Sequence, residues 1–410
     1  MATDAPAERG LDVIPRSPHE LLGQPGSPSS VVRAGGRLRV EGGATRLVDA
    51  FVSVPVELRP GASAEHEALA VVEGVWDGRT LGAARVLHAW PSARPALEWQ
   101  RLFDGGIGAR LRERAQLMAR TRRFFEAEGF LEVDTPLRSA ECGTETHVEP
   151  IASGDHYLIT SPELHMKRLL AGGVPKLFGL VHCFRAGERG HLHSPEFSLL
   201  EWYRAFAGYT AVLEDTERLI HALHRSLVDS DELRLASGAR IDLRPPFLRL
   251  GVREAFARYA GVSDAAELAA RDEDSYFQLL VDRVEPALAE LERPVFLVDY
   301  PASQAALARL CPHDPSVAER FELYLGGVEL CNGYGELTDP VEQRARCESD
   351  RARRRELGRH VPEVPGRFLC ALEEGMPPAS GNALGMDRLI MLLLGQERID
   401  RVMPFANDQV

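Results

Sequence analysis

The run Gly381-Asn382-Ala383-Leu384-Gly385-Met386-Asp387-Arg388, continuing into Leu389-Ile390-Met391-Leu392-Leu393-Leu394-Gly395, constrains this chain more than any other stretch. Small residues fall at 381, 383 and 385, so a strand here keeps one face bare. Bare backbone admits a flat ligand at close range. Asp387-Arg388 then opens an apolar run that reads as a buried helix stopped by Gly395. An arginine in the first turn meets the positive end of the helix dipole, and a nearby polyphosphate would relieve it. Spacing alone also allows a strand-to-helix turn with a surface arginine.

The 410 residues leave room for two or three domains and a large core. With 44% hydrophobic and 27% charged residues, the composition is that of a soluble globular protein. No apolar run is long enough to span a membrane, and the N-terminus carries no apolar signal core, so no membrane association is expected. Cys142, Cys183, Cys311, Cys331, Cys347 and Cys370 are dispersed without a C-x-x-C pair. That pattern predicts reduced thiols, a cytoplasmic location and no zinc site. The net charge of −13 argues against non-specific nucleic-acid binding. Lys167 and Lys176 are the only lysines, which a coding sequence rich in G and C explains.

In chain order, the prolines and glycines of 1–28 predict a mobile tail. Residues 29–95 hold five short strand candidates: Arg37–Val40, Thr45–Val48, Val52–Leu58, Leu69–Trp76 and Ala83–His88. They predict a small β-barrel of OB type. Its near-neutral charge and few outward aromatics favour a structural or protein-docking module over a nucleic-acid binder. Residues 96–108 read as a linker. Residues 109–410 read as a second, larger domain, starting with a helix over 109–128 and a strand, Phe130–Pro136.

Ser161-Pro162-Glu163 follows a strand at Tyr157–Thr160 and opens a helix with Ser as N-cap and Pro at the first helical position. Capping alone would explain all three residues. A strand over Pro195–Phe206 puts Phe197, Leu199, Glu201 and Tyr203 on one face, which suits either a ligand wall or a solvated sheet face. The preceding loop carries Arg185, Glu188, Arg189, His191 and His193, without metal-ligand spacing. An amphipathic helix is expected over 211–229 and an insertion of helices over about 230–294, with Phe247, Leu250, Val252, Ala255, Phe256 and Tyr259 as its core stripe. Gly326-Gly327 marks a hairpin whose second arm carries Glu329, Asn332 and Glu336. The arginine-rich stretch 343–358 predicts a helix with a solvated face.

Three blocks stand in order: Phe130 to Pro136, Phe184-Arg185 with the long strand to Arg204, and Gly381 to Arg388. They resemble motifs 1, 2 and 3 of the class II aminoacyl-tRNA synthetases. The stretches Thr160 to Arg168, His193 to Phe197, Leu200 to Tyr203 and Glu329 to Glu336 resemble the lysyl branch. Tyr300 to Leu307 and Val317 to Tyr324 are similar to the paralogues of that branch that attach β-lysine to elongation factor P. The resemblance covers about 109 to 406 and implies an α+β fold, an antiparallel sheet flanked by helices, dimerising around Pro136.

The resemblance implies ATP as a substrate with Mg2+, an acyl-adenylate, and either lysine or β-lysine as the amino acid. Arg185, Glu329 and Arg388 would be catalytic, Arg185 on the α-phosphate and Arg388 on the γ-phosphate. Ala186, Gly187, Glu188, His193, Ser194, Leu330 and Gly385 would complete the ATP site, with Phe197 stacked on adenine. Glu329 would hold the metal with Asn332 beside it. Ser161, Pro162, Glu163, Glu201, Tyr203, Asn332, Glu336 and Ala383 would surround the amino acid, whose two amines need carboxylates. Two departures are expected to matter. Gly187 takes the place of the glutamate in the usual Arg-x-Glu, with Glu188 following, and the paralogues lack the N-terminal module. The acceptor would be elongation factor P, with tRNA, the acceptor of a lysyl-tRNA synthetase, as the alternative.

Overall fold

Alternation along the strands sorts this protein's residues into a buried back face and a polar front face. That sorting positions everything else. The computed structural model describes residues 14–23, 30–95 and 97–405. Parts of the expected tail, 1–13 and 24–28, lie outside the described residues. The chain divides into two compact units, Met1–Glu113 and Arg114–Val410.

In the first unit five strands, Ser30–Glu41, Ala44–Val48, Ser53–Leu58, Leu69–Trp76 and Leu81–Trp90, close into a barrel. Leu38, Leu47, Val54, Val72 and Trp76 fill it. Gly42 and Gly43 both take positive φ, as the two-residue turn between the first strands requires. Two expectations are corrected here. Pro18–Gly23, assigned to the mobile tail, is a helix whose Leu21 is buried in the barrel core. The linker contains a helix, Leu97–Leu102, held to the barrel by Gln100 Nε2 donating to Glu67 Oε1 at 3.0 Å.

The second unit is built on a nine-stranded sheet. Its order is Leu248–Gly251, Val295–Pro301, Asp314–Leu325, Val328–Gly335, Ala379–Gly385, Glu196–Ala205, Lys176–Phe184 and Leu131–Glu132, with Leu310–Cys311 added on Asp314–Leu325. Both end pairs are parallel and the pairings between them antiparallel. The expected strand over 130–136 shrinks to Leu131–Glu132, because the chain leaves the sheet after two paired residues.

Phe178, Leu200, Trp202, Phe321, Leu323 and Leu384 point back. There they meet Val212, Leu219 and Ile220 of the Tyr209–Arg225 helix and Leu389 to Leu393 of the Met386–Leu393 helix. Phe125 packs against Phe130, Phe178 and Trp202 in the same layer. On the front face two smaller clusters stand apart. One joins the Glu163–Ala171 and Gly366–Gly375 helices over Leu177 and Tyr203. The other packs helical residues 252–289 on Val295, Leu297 and Tyr324. The front face between them is left open to polar side chains.

The expected helical insertion over 230–294 is corrected. It begins with a strand pair, Glu232–Arg234 and Arg240–Asp242, and Leu248–Gly251 joins the main sheet as its edge. Only the residues from Val252 onward are helical. Among the described residues no helix is long and apolar enough to cross a membrane.

The Pro340–Glu356 helix is also not simply a solvated one. Arg354 is completely buried and donates to the carbonyls of Glu145 (2.6 Å) and Val148 (2.9 Å) and to Glu149 Oε2 (2.8 Å). It also donates to the His360 carbonyl. One fixed guanidinium thus shapes a loop that has no secondary structure of its own. Removing one partner of such a buried charge network costs about 3–5 kcal/mol. Arg354→Met is therefore expected to lower the denaturation midpoint of this unit and to speed amide exchange at 145–149. Unchanged exchange there would contradict this role.

Candidate active site

The open front face is assembled by strand register. Glu201 and Tyr203 lie two residues apart on Glu196–Ala205, and Ala383 and Gly381 pair with them from Ala379–Gly385. Asn332 and Tyr334 pair with the same two small residues from the other side. Glu329 and Asn332 are three apart, which on a regular strand would set them on opposite faces. A bulge at Leu330 cures this: Tyr324 pairs with Glu329 while Leu323 pairs with Cys331. Leu330 and Cys331 both turn into the back core, and Glu329, Asn332, Glu322 and Tyr324 share the front. The Leu330 side chain is therefore not available to a front-face ligand.

The residues expected around an amino acid do converge. Glu163 N–H donates to Ser161 Oγ at 3.1 Å, and Ser161 Oγ donates to Glu201 Oε2 at 2.7 Å. The cap position itself falls on Pro162, one residue later than the expected Ser161, because Glu163 is the first helical residue. Tyr203 Oη donates to Glu201 Oε1 at 2.6 Å, so both oxygens of this buried carboxylate are held. Lys167 Nζ lies 2.5 Å from Glu163 Oε1 and 2.6 Å from Glu336 Oε2.

Carboxylates outnumber cations here, and the titrations follow. Burial, and then the Glu163 charge, push the Glu201 carboxyl up to about 8. Burial pushes Glu336 up to about 7 against the pull of Lys167. Glu145, on the loop shaped by Arg354, is pushed up to about 7 by burial and by Glu163. Tyr203 is raised well above its ordinary value by burial and Glu201. All of these shifts express too much negative charge in too little water.

Gly381 and Gly385 differ in what their bare Cα atoms serve. A Cβ on Gly381 would fall 2.3 Å from two ring carbons of Tyr203, so the space beside it belongs to that ring. The expectation that bare backbone at 381 receives a flat ligand is corrected accordingly. A Cβ on Gly385 would stand 3.7 Å from Arg388 Cδ, an ordinary contact.

Arg388 follows at the start of the Met386–Leu393 helix. Its Nη1 donates to the Glu329 carbonyl at 2.7 Å and its Nε to the Leu192 carbonyl at 3.1 Å. Nη2 lies 2.7 Å from His193 Nε2, which must accept, since a guanidinium only donates. Desolvation, and then the Arg388 charge, lower the His193 pKa, consistent with a neutral ring. Arg185 stands with its guanidinium carbon 5.1 Å from the Phe197 ring centroid and its Nη1 3.5 Å from Glu188 Oε1. Gly187 takes φ of 79°, a turn that brings Glu188 back beside Arg185. Ala186 N–H is committed to the Glu149 carbonyl at 2.8 Å, and Ser194 is buried. Burial, and then Glu322, push the Glu329 carboxyl up to about 7. Asn332 Oδ1 is buried and accepts no hydrogen bond among the described residues.

Two arginines and an aromatic ring at one end of the front face, and a cluster of carboxylates around one ammonium at the other, suit a nucleotide and an amino acid side by side. Residues 94–409 match the family described as tRNA synthetases class II (D, K and N). The chain belongs to this class II tRNA synthetase family. It is also similar to curated proteins named elongation factor P--(R)-beta-lysine ligase. The Vibrio cholerae protein is 40% identical over 318 residues, 72% of this chain and 95% of that protein. The Edwardsiella ictaluri protein is 41% identical over 73% of this chain and 96% of its own length. The Proteus mirabilis protein is 42% identical, covering 72% and 94%.

Within this class II unit, sequence reasoning missed Lys167, Glu145, Arg354 and Asp387 as shapers of the site. Asp387 is buried and ties the helix to the central strand, accepting from Ser198 N–H at 2.7 Å and pairing with Arg114 at 2.5 Å. The i,i+4 spacing of Glu163 and Lys167 was a usable signal for their ion pair. Nothing local announced the other three.

The Tyr203–Gly381 contact yields a test. In Gly381→Ala the new methyl must displace the ring that holds Glu201, an overpacking cost of about 1–3 kcal/mol. The amino-acid KM should rise while the ATP KM stays near wild type. Equal rises in both would show that Tyr203 does not order the amine pocket.

Proposed function

We propose that this chain activates (R)-β-lysine with ATP and transfers it to a lysine side chain of elongation factor P. The observation that carries the reading is the surplus of carboxylates, buried Glu201 and Glu336 with the partly buried Glu163, around a single ammonium. A diamino acid supplies the missing positive charge. The names of the relatives support the particular diamine and acceptor.

In the first step a carboxylate oxygen of the amino acid attacks the α-phosphorus of ATP. The bond from that phosphorus to the bridging oxygen breaks, pyrophosphate leaves, and an acyl-adenylate remains. In the second step the acceptor amine attacks the acyl carbon, AMP leaves, and the amine gives up a proton. The first step needs positioning and charge neutralisation rather than proton transfer. Arg185 holds the α-phosphate and Arg388 the γ-phosphate, in keeping with the flat fork of a guanidinium. Arg388 is already fixed by two carbonyls, so little reorganisation accompanies binding. Phe197 offers its ring to adenine. Ala186, Gly187, Glu188, His193, Ser194 and the Leu330 backbone line the nucleotide beside Gly385.

Magnesium fits the oxygen donors present: Glu329 and the unpartnered Oδ1 of Asn332 lie on one face beside Glu322. Bound there, the ion would neutralise phosphate charge. A homodimer through the region around Pro136 and a cytoplasmic location complete the reading.

Pocket identity is assigned to Ser161 and Ala383. β-Lysine sets one amine a carbon further from the carboxylate, so only that end of the pocket must change. Ser161 spends its proton on Glu201 and one lone pair on Glu163 N–H, which leaves a second lone pair to accept from the displaced amine. Ala383 lies between Glu201 and Asn332 in register and adds a methyl to the floor. A one-methylene difference is worth about 1–3 kcal/mol, or roughly 10–200-fold. Pyrophosphate exchange should therefore favour β-lysine over α-lysine, and the Ser161→Ala, Ala383→Gly double variant should narrow the ratio. Transfer assays with elongation factor P and with tRNA then decide the acceptor. Preference for α-lysine together with tRNA charging would sink the reading.

The raised carboxyls also set a pH dependence. Folded Glu201 and Glu336 keep protons that the unfolded chain releases near its ordinary value of 4.5. The folded state binds more protons, so their contribution to stability falls as pH rises from about 4.5 to about 8. Without ligand, Tm should decline across that window. Bound β-lysine pairs with the ionised carboxylates, so the Tm gain it gives should grow with pH. A ligand-induced Tm gain that is flat or falling with pH would count against amine binding at these residues.

A further inference from the structure

The proposed roles leave one central group unused. Lys167 has a wholly buried side chain, inside a site that otherwise collects carboxylates. It rises from the Glu163–Ala171 helix one turn after Glu163, so both side chains leave the same face. Its Nζ bridges Glu163 Oε1 and Glu336 Oε2, joining that helix to the end of the Val328–Gly335 strand. Tyr334 and Phe368 set their rings 6.0 and 5.9 Å from the same nitrogen. The other charged and titratable neighbours are Glu201 and Tyr203 on the Glu196–Ala205 strand, Glu145, which Glu163 pushes up and Arg185 pulls down, and Arg309, which acts on Glu336 but is itself paired with Glu319 at 2.7 Å.

A tie between helix and strand could have been made with apolar residues at less desolvation cost. What the ammonium does here is specific. It pairs with one oxygen of each carboxylate, hydrogen-bonding to Glu163 alone, and both oxygens of Glu336 remain buried with no hydrogen-bond donor among the described residues. Glu201 has both oxygens held by neutral hydroxyls, which orient it without cancelling its charge. Once ionised, Glu163, Glu201 and Glu336 against one fixed ammonium leave two negative charges uncompensated. Two is the number of ammonium groups on a diamino acid.

We propose that Lys167 is a positioning residue that sets the charge of the amine pocket, fixing Glu163 and Glu336 so that a substrate with two ammonium groups, and not one, completes it. This rests on the reading of a lysine-type substrate given above. Without Lys167 the pocket would call for a third cation. A small ammonium ion from solution could then take its place.

The test compares wild type with Lys167→Met and Lys167→Gln in pyrophosphate exchange and thermal unfolding, with methylammonium and tetramethylammonium chloride as added salts. Truncating one partner of a buried charge pair is a large loss, so KM for β-lysine should rise roughly tenfold or more in both variants. KM for ATP should be unchanged. Methylammonium, which can donate to both carboxylates, should restore much of the loss. Tetramethylammonium, of equal charge but without N–H donors, should not, and wild type should respond to neither.

The Tm deficit of each variant should widen from about pH 5.5, where the carboxyls take up protons, to about pH 8.5. That reading is available even if a variant is too unstable to assay near neutrality. Variants with wild-type KM, or impaired variants that methylammonium neither rescues nor stabilises, would overturn the proposal. If wild type exchanges with no diamino acid, the functional reading falls by itself. Lys167 is then judged on Tm: selective stabilisation of Lys167→Met by methylammonium upholds its charge-setting role, and its absence rejects it.

Discussion

Placing several carboxylates together away from water is the constraint on which the catalytic unit depends. Each ionised carboxylate that loses its hydration costs several kcal/mol unless something compensates it. Here the compensation is deliberately incomplete. Glu201 is given two hydroxyl donors, Glu163 and Glu336 share one ammonium, and neither oxygen of Glu336 has a hydrogen-bond donor among the described residues. A site left short of positive charge recognises a cation by completing a set of contacts that already exists. The elevated carboxyls of Glu201 and Glu336 are the sign of that shortage.

Such a cluster persists only on a rigid support. The sheet supplies it through its two faces. The back is closed by Trp202, Phe178, Phe321 and the helices behind them, so the strands cannot shift to relieve repulsion in front. The bulge at Leu330 then moves Glu329 to the front without moving its neighbours out of the core. Arg354 and Asp387 do comparable work from behind. One shapes the 145–149 loop through backbone carbonyls, and the other locks the start of the Met386–Leu393 helix to Ser198. Neither needs to touch a substrate to matter for binding.

The nucleotide end follows the opposite logic. Arg388 and Arg185 are cations in want of anions, yet each is provisioned with neutral or weakly paired neighbours. Carbonyls and a neutral imidazole aim Arg388, and its contact with the Glu329 carboxylate is 3.6 Å. A guanidinium aimed by dipoles keeps its charge for an incoming phosphate. An acidic end and a basic end on one sheet face are what the proposed amino acid and polyphosphate would each require.

The sequence by itself determined a good deal. The small residues at 381, 383 and 385, the arginine at 388, the carboxylates at 163, 201, 329 and 336 and the alternation along 196–205 were readable because each is a local pattern of period two or a motif of fixed spacing. Five short strands with turn residues between them also foretold the closed barrel. What only the tertiary structure decided are relations between distant segments. The space beside Gly381 belongs to Tyr203 from another strand, and Arg354 is buried although its helix reads as a string of surface charges. The face on which Glu329 lies depends on pairing with Tyr324, and the ordered helix at Pro18–Gly23 depends on a barrel for Leu21 to enter. Lys167 was visible as one of two lysines, but its meaning required Glu336, far along the chain, to stand opposite Glu163. Burial and charge compensation are properties of what surrounds a residue, and the surroundings exist only once the chain has folded.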